Sequence, residues 1–222
     1  FHLMNNVSET LAGRIGIIEL SSLSLREINK DSFDYPVIPD DSYLNAQRIQ
    51  SPVSELWEII HRGSMPELYR NPKMDHQLYY ASYVKTYIER DVRMIINVKE
   101  LSLFSKFMIV LAARTSQLLN YSSISSEIGV DVKTIKSWIG VLETSGIVTL
   151  VQPFSNKALT RVIKTPMLYF MDTGLVCYLL KWLTPDTLMN GAMAGPILET
   201  FVVSELIRSE EHTSELQSRQ VI

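Results

Sequence analysis

The chain has 222 residues, of which 46% are hydrophobic and 20% are charged, and its formal net charge is −3. This is the composition of a globular protein with one large or two small domains, and it excludes a disordered chain. The net charge excludes a protein that coats nucleic acid through its overall charge, although a local basic patch stays possible. Cys177 is the single cysteine, which excludes an intramolecular disulfide, a cysteine-rich zinc site and a redox pair.

The uncharged runs of the sequence are short. Phe107–Ala113 and Met167–Met171 fall far below the ~18 apolar residues that a membrane span needs. The N-terminus shows no basic segment of the kind that opens a secretory signal. We therefore expect a cytoplasmic protein with no membrane partner.

The first half of the chain predicts helices separated by proline-containing loops. Ser51-Pro52 is typical of a helix start, because serine caps the helix and proline fits its first turn. The helix that follows Glu100 is nearly all apolar, so we expect it to be buried. The predicted elements are a strand over Leu11–Leu20, a loop over Asp31–Asp41, a helix from Ser51 to His61 that Gly63 ends, a loop over Ser64–Asp75, and helices over Leu78–Ile96 and Leu101–Leu118.

The region Ser122–Phe154 carries the most informative local pattern. Two helices joined by a tight turn are followed by a strand, a turn and a return strand, which is the order of a winged helix-turn-helix. The predicted elements are a helix over Ser122–Ile128 with serine caps and Glu127 available for a capping box, a turn at Gly129-Val130, a helix over Val132–Ser145 capped by Asp131 and ended by Gly146, a strand over Ile147–Val151, a turn over Pro153–Ala158 and a return strand over Leu159–Ile163.

The remainder predicts one more strand and three helices. These are a short buried strand over Met167–Phe170, a helix from Asp172 to Leu180, a short helix opened by Thr184-Pro185, and a last helix opened by Gly195-Pro196 with Ile197, Phe201, Val202 and Leu206 inward. The predicted fold class is mainly α with short β, an α+β arrangement.

The basic charge of the chain is concentrated in its middle third. Residues 97–167 hold eight basic and four acidic residues, a net charge of +4. The outer face of the second helix of the helix-turn-helix and the predicted hairpin carry the candidate nucleic-acid-binding residues: Lys133, Thr134, Lys136, Ser137, Lys157 and Arg161, with Lys164 beside them. Such a helix can enter the major groove of duplex DNA. The alternative is that the module only packs against another domain or protein, since lysines on an exposed helix face are ordinary.

No catalytic or metal-binding pattern stands out. The sequence has neither a Gly-x-x-x-x-Gly-Lys-Ser/Thr loop nor a Gly-x-Gly-x-x-Gly loop. His2, His61 and His76 are too far apart in sequence for a local ligand set, so we expect surface or packed histidines. Cys177 lies in an apolar helix and is expected to be buried and inert.

Several short stretches resemble a prokaryotic family of AAA-type ATPases whose C-terminal half is a domain of unknown function. The resemblance covers almost all of residues 1–207. The stretches that carry it are Ser8–Arg14, Leu23–Glu27, Tyr87–Arg93, Leu111–Thr115, Leu118–Tyr121, Trp138–Glu143, Lys164–Leu175 and Glu199–Val202.

The resemblance implies a larger protein of which this chain is a fragment. In that family a P-loop domain precedes a helical and winged-helix middle and a C-terminal part like a restriction endonuclease. ATP and Mg²⁺ are implied for the complete protein, while we expect no cofactor in this fragment. Arg14 could face a nucleotide phosphate of its own subunit or of a neighbouring one, or instead pair with Glu9 or Glu19. Glu199 matches a recurrent acidic position and is a candidate metal ligand in an incomplete site.

The domain division follows from the same resemblance. We expect the end of the ATPase core over residues 1–30, a helical linker over 31–96, a winged-helix domain over 97–165 and the start of the C-terminal domain over 166–207. Residues 208–222 are expected to be an artefact, because Arg208–Ser218 resembles the translation of a sequencing adapter. The alternative is an ordinary polar end of a helix. The expected function is a fragment of an AAA-type ATP-binding protein, with a partner-facing or DNA-facing C-terminal half. The alternatives are a non-enzymatic winged-helix module that binds DNA or protein, and a purely structural scaffold.

Overall fold

The described part of the chain is mainly helical and contains one small sheet, so the predicted α+β class is confirmed. The structure is a computed structural model, and it describes residues 21–30, 53–88, 101–153 and 165–219. The helices are α1 (Leu25–Asn29), α2 (Val53–Arg62), α3 (Pro66–Arg70), α4 (His76–Tyr83), a π-helical segment (Val84–Ile88), α5 (Leu101–Ala112), α6 (Tyr121–Ile128), α7 (Val132–Thr144), α8 (Thr173–Leu179), α9 (Pro185–Met189) and α10 (Ala194–Arg219); the strands are β1 (Gln117–Leu118), β2 (Val148–Val151) and β3 (Met167–Phe170).

The three strands form an antiparallel sheet with β3 in the centre. Leu168 of β3 lies opposite Gln117 of β1 on one side and Leu150 of β2 on the other. The predicted strand Met167–Phe170 is thus confirmed, and it is the described partner of β2 along its whole length. The predicted return strand Leu159–Ile163 lies outside the described residues. The side chains of Leu168, Tyr169 and Phe170 are buried, and because successive side chains point to opposite faces, both faces of β3 are covered.

Two predicted helices have different bounds in the structure. The predicted helix Leu78–Ile96 begins earlier, at His76, and changes to π-helix at Val84. Residues 89–96 of the predicted helix lie outside the described residues. The predicted helix Leu101–Leu118 ends at Ala112, because the next residues leave the helix and pair with the sheet. The amide of Ser116 donates to the carbonyl of Leu168 at 2.7 Å, and β1 follows at once. Sheet pairing therefore overrides the apolar helical pattern.

The inward face of α10 also differs from the prediction. Ile197 and Phe201 are buried as expected, but Val202 and Leu206 are 47% and 54% exposed. Thr200 and Ser204 are buried in their place. The Thr200 hydroxyl lies 2.8 Å from that of Thr115, which satisfies both groups within the core. α10 therefore packs through a partly polar stripe that hydropathy alone does not reveal.

Helix α5 is the apolar centre of the fold, and the prediction that it is buried is confirmed. Phe104, Phe107, Met108 and Leu111 have almost no exposed surface. The ring of Trp138 in α7 meets Phe104 and Phe107 edge to face, at centroid distances of 5.3 and 5.2 Å. Such aromatic pairs add about 0.5–1.5 kcal/mol each beyond the area they bury. Among the described helices, α5 included, none combines the length and apolarity needed to cross a bilayer.

A buried carboxylate joins three helical segments. Asp172 is 4% exposed and caps α8 by accepting the amide of Leu175 at 2.7 Å. Its Oδ2 accepts both the amide and the hydroxyl of Ser64, at 2.7 and 2.8 Å, and its Oδ1 accepts the hydroxyl of Tyr80 at 2.7 Å. Burial and the nearby Asp172 charge raise the pKa of Tyr80 well above its usual range, so the phenol stays a proton donor. The Asp172 carboxylate thus accepts hydrogen bonds from three segments: the loop after α2, the middle of α4 and the start of α8.

Two glycines let these segments approach one another. Gly63 has a φ of +82°, and a Cβ there would lie 2.1 Å from the Tyr80 hydroxyl oxygen. A Cβ on Gly174 would lie 2.4 Å from the same atom. Gly63 ends α2 as predicted. The closeness of Tyr80 and Asp172 also leaves no room for a side chain at this position, and the local sequence pattern does not reveal that constraint.

Arg208 also enters this region. Its side chain is buried and donates to the hydroxyl of Ser64, at 2.9 Å, and to the carbonyl of Met171. It also pairs with Glu205 at 2.6 Å. Arg208 is the first residue of the segment that we expect to be an artefact, and that origin stays a prediction.

Asp172→Ala is expected to destabilise the protein by at least about 3 kcal/mol. The substitution leaves the buried amides of Ser64 and Leu175 without their acceptor, and each such group costs about 1–3 kcal/mol. The hydroxyls of Ser64 and Tyr80 also lose a bond to the carboxylate, although Ser22 and the carbonyl of Arg62 remain within their reach. Urea denaturation followed by circular dichroism measures the free energy of unfolding. Asp186→Ala is the matched control, because Asp186 is exposed in the first turn of α9, where about 0.3–1 kcal/mol is at stake. Equal losses in the two variants would contradict a central role for Asp172.

Candidate nucleic-acid interface

Helices α6 and α7 are fixed by short polar caps and a tight turn. Asp131 caps α7 as predicted, and its Oδ1 accepts the amide of Thr134 at 2.9 Å. The cap of α6 differs from the prediction: Asn120, not a serine, accepts the amide of Ser123 at 2.9 Å. A side-chain amide oxygen at this position reaches the first-turn amides as well as a serine does. The connection at Gly129 is left-handed, with a φ of +84°.

One face of α7 is packed and the opposite face is open to solvent. Ile135, Trp138, Ile139 and Leu142 are buried against the rest of the fold. Lys133, Lys136 and Ser137 are exposed on the other side. This division follows from the helical period, which places residues three and four apart on one face. The outward position predicted for these three residues is confirmed.

Thr134 has a local structural contact. Its hydroxyl donates to Asp131 Oδ2 at 2.7 Å, and its amide donates to Oδ1 of the same carboxylate. The hydrogen bonds from Thr134 lower the pKa of Asp131, so this carboxylate is charged at neutral pH. A negative charge therefore lies at the start of α7, two residues before Lys133 and five before Lys136.

The positive charges around α6 and α7 are partly engaged. The Nζ atom of Lys136 lies 5.3 Å from the centroid of the Tyr121 ring, within cation–π range. Arg114 pairs with Glu127 at 2.6 Å, so Glu127 forms an ion pair where the sequence suggested a capping box. Lys106 donates to the backbone carbonyl of Glu127 at 2.8 Å. Lys133 and Lys136 therefore supply the exposed positive charge of the α7 face, and the patch is modest.

The remaining predicted site residues divide into two groups. Arg14, Lys157, Arg161 and Lys164 lie outside the described residues. Glu199 is exposed on α10 and accepts the hydroxyl of Tyr169 at 2.7 Å. Burial and this hydrogen bond raise the pKa of Tyr169 to about 12. Within the described ranges, no cluster of three or more His, Cys, Asp or Glu side chains could hold a metal ion.

The structure brings together two histidines that the sequence places apart. The rings of His61 and His76 meet edge to face at a centroid distance of 4.9 Å. The Nε2 atom of His61 lies 2.8 Å from the carbonyl of Trp182, and because a carbonyl only accepts, this nitrogen carries the proton. His61 is buried and His76 half-buried, which agrees with the expectation of packed histidines. Cys177 is buried as predicted, and burial raises the pKa of its thiol.

The histidine pair predicts a loss of stability in mild acid. Burial lowers the pKa of His61, and burial, His61 and Arg62 lower that of His76, in each case below the ordinary ~6.5. As the pH falls through about 6.5, the unfolded chain binds these protons first, so the free energy of unfolding decreases. Burial raises the pKa of Glu205, which acts in the opposite sense at lower pH.

We expect His61→Gln to lose part of the decrease in unfolding free energy that the parent shows between pH 7.5 and pH 5.5. Glutamine can still donate to the Trp182 carbonyl but does not titrate. Urea titrations of parent and variant at both pH values measure the difference. His76→Gln tests the second ring, and identical pH dependence in all three proteins would contradict the assignment.

Comparison with known proteins identifies the family. A sequence model described as "Domain of unknown function (DUF8612)" matches residues 53–186, which span α2 to the start of α9. Uncharacterized proteins of Mycobacterium bovis (Mb2031c) and Mycobacterium tuberculosis (Rv2008c) are each 23% identical over 204 residues, covering 92% of this chain and 41% of each relative. The chain thus spans about two fifths of the length of these relatives. No solved structure matches. Because the family model covers more than half of the sequence, the chain belongs to the DUF8612 family, a domain of unknown function.

Proposed function

We propose that residues 101–170 form a winged-helix module that binds duplex DNA through α7. The order α5, β1, α6, α7, β2, β3 supports this, together with the strand order β1-β3-β2. In such a module the two strands after the recognition helix pair, and the loop between them is the wing. Because β3 pairs with β2 along its whole length, we include β3 and extend the proposed module to Phe170.

The observation that carries the proposal is the division of α7 into a packed and an open face. Its buried residues hold it against α5, whereas Lys133, Lys136 and Ser137 point to solvent within its first two turns. The first turns of a recognition helix are those that reach base edges, and lysine and serine bond to bases and to phosphates. The proposed contacts are therefore polar and include two charges.

The charge distribution supports local rather than general binding. The net charge of residues 97–167 is +4, within a chain whose net charge is −3. Asp131 stays charged beside the proposed interface and opposes phosphate approach on its side. We therefore propose a weak, salt-sensitive interaction that depends on placement by the rest of a larger protein.

For the complete protein we propose an AAA-type ATPase that uses ATP and Mg²⁺ in the cytoplasm. The resemblance of residues 1–207 supports this, as does the greater length of the mycobacterial relatives. Sequencing the genomic locus on both sides tests it: an upstream Gly-x-x-x-x-Gly-Lys-Ser/Thr loop supports the proposal, and its absence from the complete reading frame overturns it. Where the loop is present, Arg14→Ala in the complete protein tests the role of that residue in hydrolysis.

The double variant Lys133→Ala/Lys136→Ala is expected to bind duplex DNA more weakly and with a shallower salt dependence. Removing one lysine–phosphate interaction reduces the slope of log K against log salt by about 0.9, so removing two reduces it by up to about 1.8. Fluorescence anisotropy with a labelled 20-base-pair duplex, at salt concentrations from about 20 to 200 mM, measures both quantities.

Lys85→Ala/Lys181→Ala is the matched control for this experiment. It removes the same charge from exposed positions outside α7 and should leave the slope unchanged. Absence of duplex binding by the parent at the lowest salt concentration would end the DNA proposal. Equal effects of the two double variants would assign the binding to net charge instead of α7.

A further inference from the structure

A groove of about 540 Å³ lies on the side of α5 away from the Trp138 contacts. One wall is formed by α4 and the π-helical segment, and another by the end of α8 and the residues that follow it. Met108 of α5 and Leu179 of α8 line it and are themselves buried, so the groove has an apolar base. The exposed polar residues of α7 do not line this groove.

Large apolar side chains border the groove and remain in water. Ile109 and Leu183 line it and are 44% and 70% exposed. Leu78 precedes the lining residue Ala81 by three positions on α4 and is 68% exposed. Covering these side chains removes apolar surface from water, so they would contribute to binding an apolar partner.

The backbone departs from regular helix at two points of the wall. Val84 and Lys85 line the groove from a π-helical turn, a conformation that is frequent at functional sites. Lys181 has a φ of +59°, which is uncommon for a residue with a side chain. Each of these two irregular points carries a lysine that lines the groove, Lys85 and Lys181.

The charged side chains that line the groove are basic. Lys85 and Lys181 both line it and are exposed, and no acidic residue is among its described lining residues. An occupant that fits both the apolar base and the two ammonium groups carries apolar side chains together with carboxylates. None of the described lining residues belongs to a strand, so they offer no sheet edge to an extended peptide. A helix is the element that packs its side-chain ridges between such walls.

We propose that this groove binds an amphipathic, acidic α-helix of a partner protein. The partner helix presents apolar residues at positions i, i+3 or i+4, and i+7 to the exposed side chains of Ile109 and Leu183, above the buried base of the groove. Its flanking glutamates or aspartates face Lys85 and Lys181. The surface is separate from the proposed DNA-binding face, and α5 contributes to both.

A defined peptide library tests the proposal on the full chain. The probe is a displayed library of 18-residue helical peptides with leucine fixed at i, i+3, i+4 and i+7 and with Glu, Lys, Gln or Ala at the flanking positions. Selection on the parent, with counter-selection on Ile109→Glu/Leu183→Glu, should enrich peptides that carry glutamate. One enriched peptide and its Glu-to-Lys counterpart are then compared by fluorescence anisotropy.

Charge reversal at the groove gives the decisive comparison. Lys85→Glu/Lys181→Glu should weaken the glutamate peptide about tenfold and strengthen its lysine counterpart. Lys133→Glu/Lys136→Glu, the same charge change on α7, should leave both affinities unchanged. All the substituted residues are exposed, and equal melting temperatures of the variants confirm that folding is intact.

Three results would overturn the proposal. The first is no enrichment over the counter-selected variant, and the second is equal affinity for the glutamate and lysine peptides. The third is a parent chain that is dimeric by light scattering and becomes monomeric in Ile109→Glu/Leu183→Glu, because a second copy would then occupy the groove. Enrichment of glutamate peptides that the groove variants abolish would support it.

Discussion

The buried carboxylate of Asp172 fixes three helical segments of this protein relative to one another. Asp172 receives four hydrogen bonds, from Ser64, Tyr80 and Leu175, and is almost completely removed from water. A charge in such a place is tolerable only when donors replace its hydration. The donors come from the loop after α2, from α4 and from α8, so none of these segments can move without exposing a charge to an apolar interior.

The hydrogen bonds of Asp172 also constrain the sheet and, through the sheet, the α7 face. Asp172 follows β3 by two residues, so the cluster fixes the end of the central strand. β3 in turn pairs with β1 and β2, which bracket the α6–α7 unit. The orientation of the exposed α7 lysines thus depends on a polar contact that lies outside the proposed winged-helix module. The family match spans Ser64, Tyr80 and Asp172 as well as α6 and α7, so both lie within the DUF8612 domain.

Helix α5 divides the surface into two regions of different chemistry. Through Phe104 and Phe107 it holds α7 by aromatic contacts, and through Met108 and Ile109 it borders the apolar groove. The α7 face is polar and small, whereas the groove is apolar with two lysines. The two proposed interactions therefore use separate surfaces, and α5 packs beneath both.

The sequence determined the features that depend on neighbours along the chain. The helix caps Asp131 and Asp172, the glycine stops at Gly63 and Gly146, the burial of α5 and the outward face of α7 all follow from spacings of a few residues. Only the tertiary structure decided contacts between distant residues. Ser64 and Asp172 are 108 positions apart. His61 and His76 meet across the segment 64–75, which was predicted as a loop but contains helix α3. Helix α5 ends at Ala112 because the amide of Ser116 bonds to the sheet. The inner face of α10 is partly polar because the Thr200 hydroxyl bonds to Thr115. Both hydrogen-bond partners are distant in sequence, so local hydropathy does not reveal them.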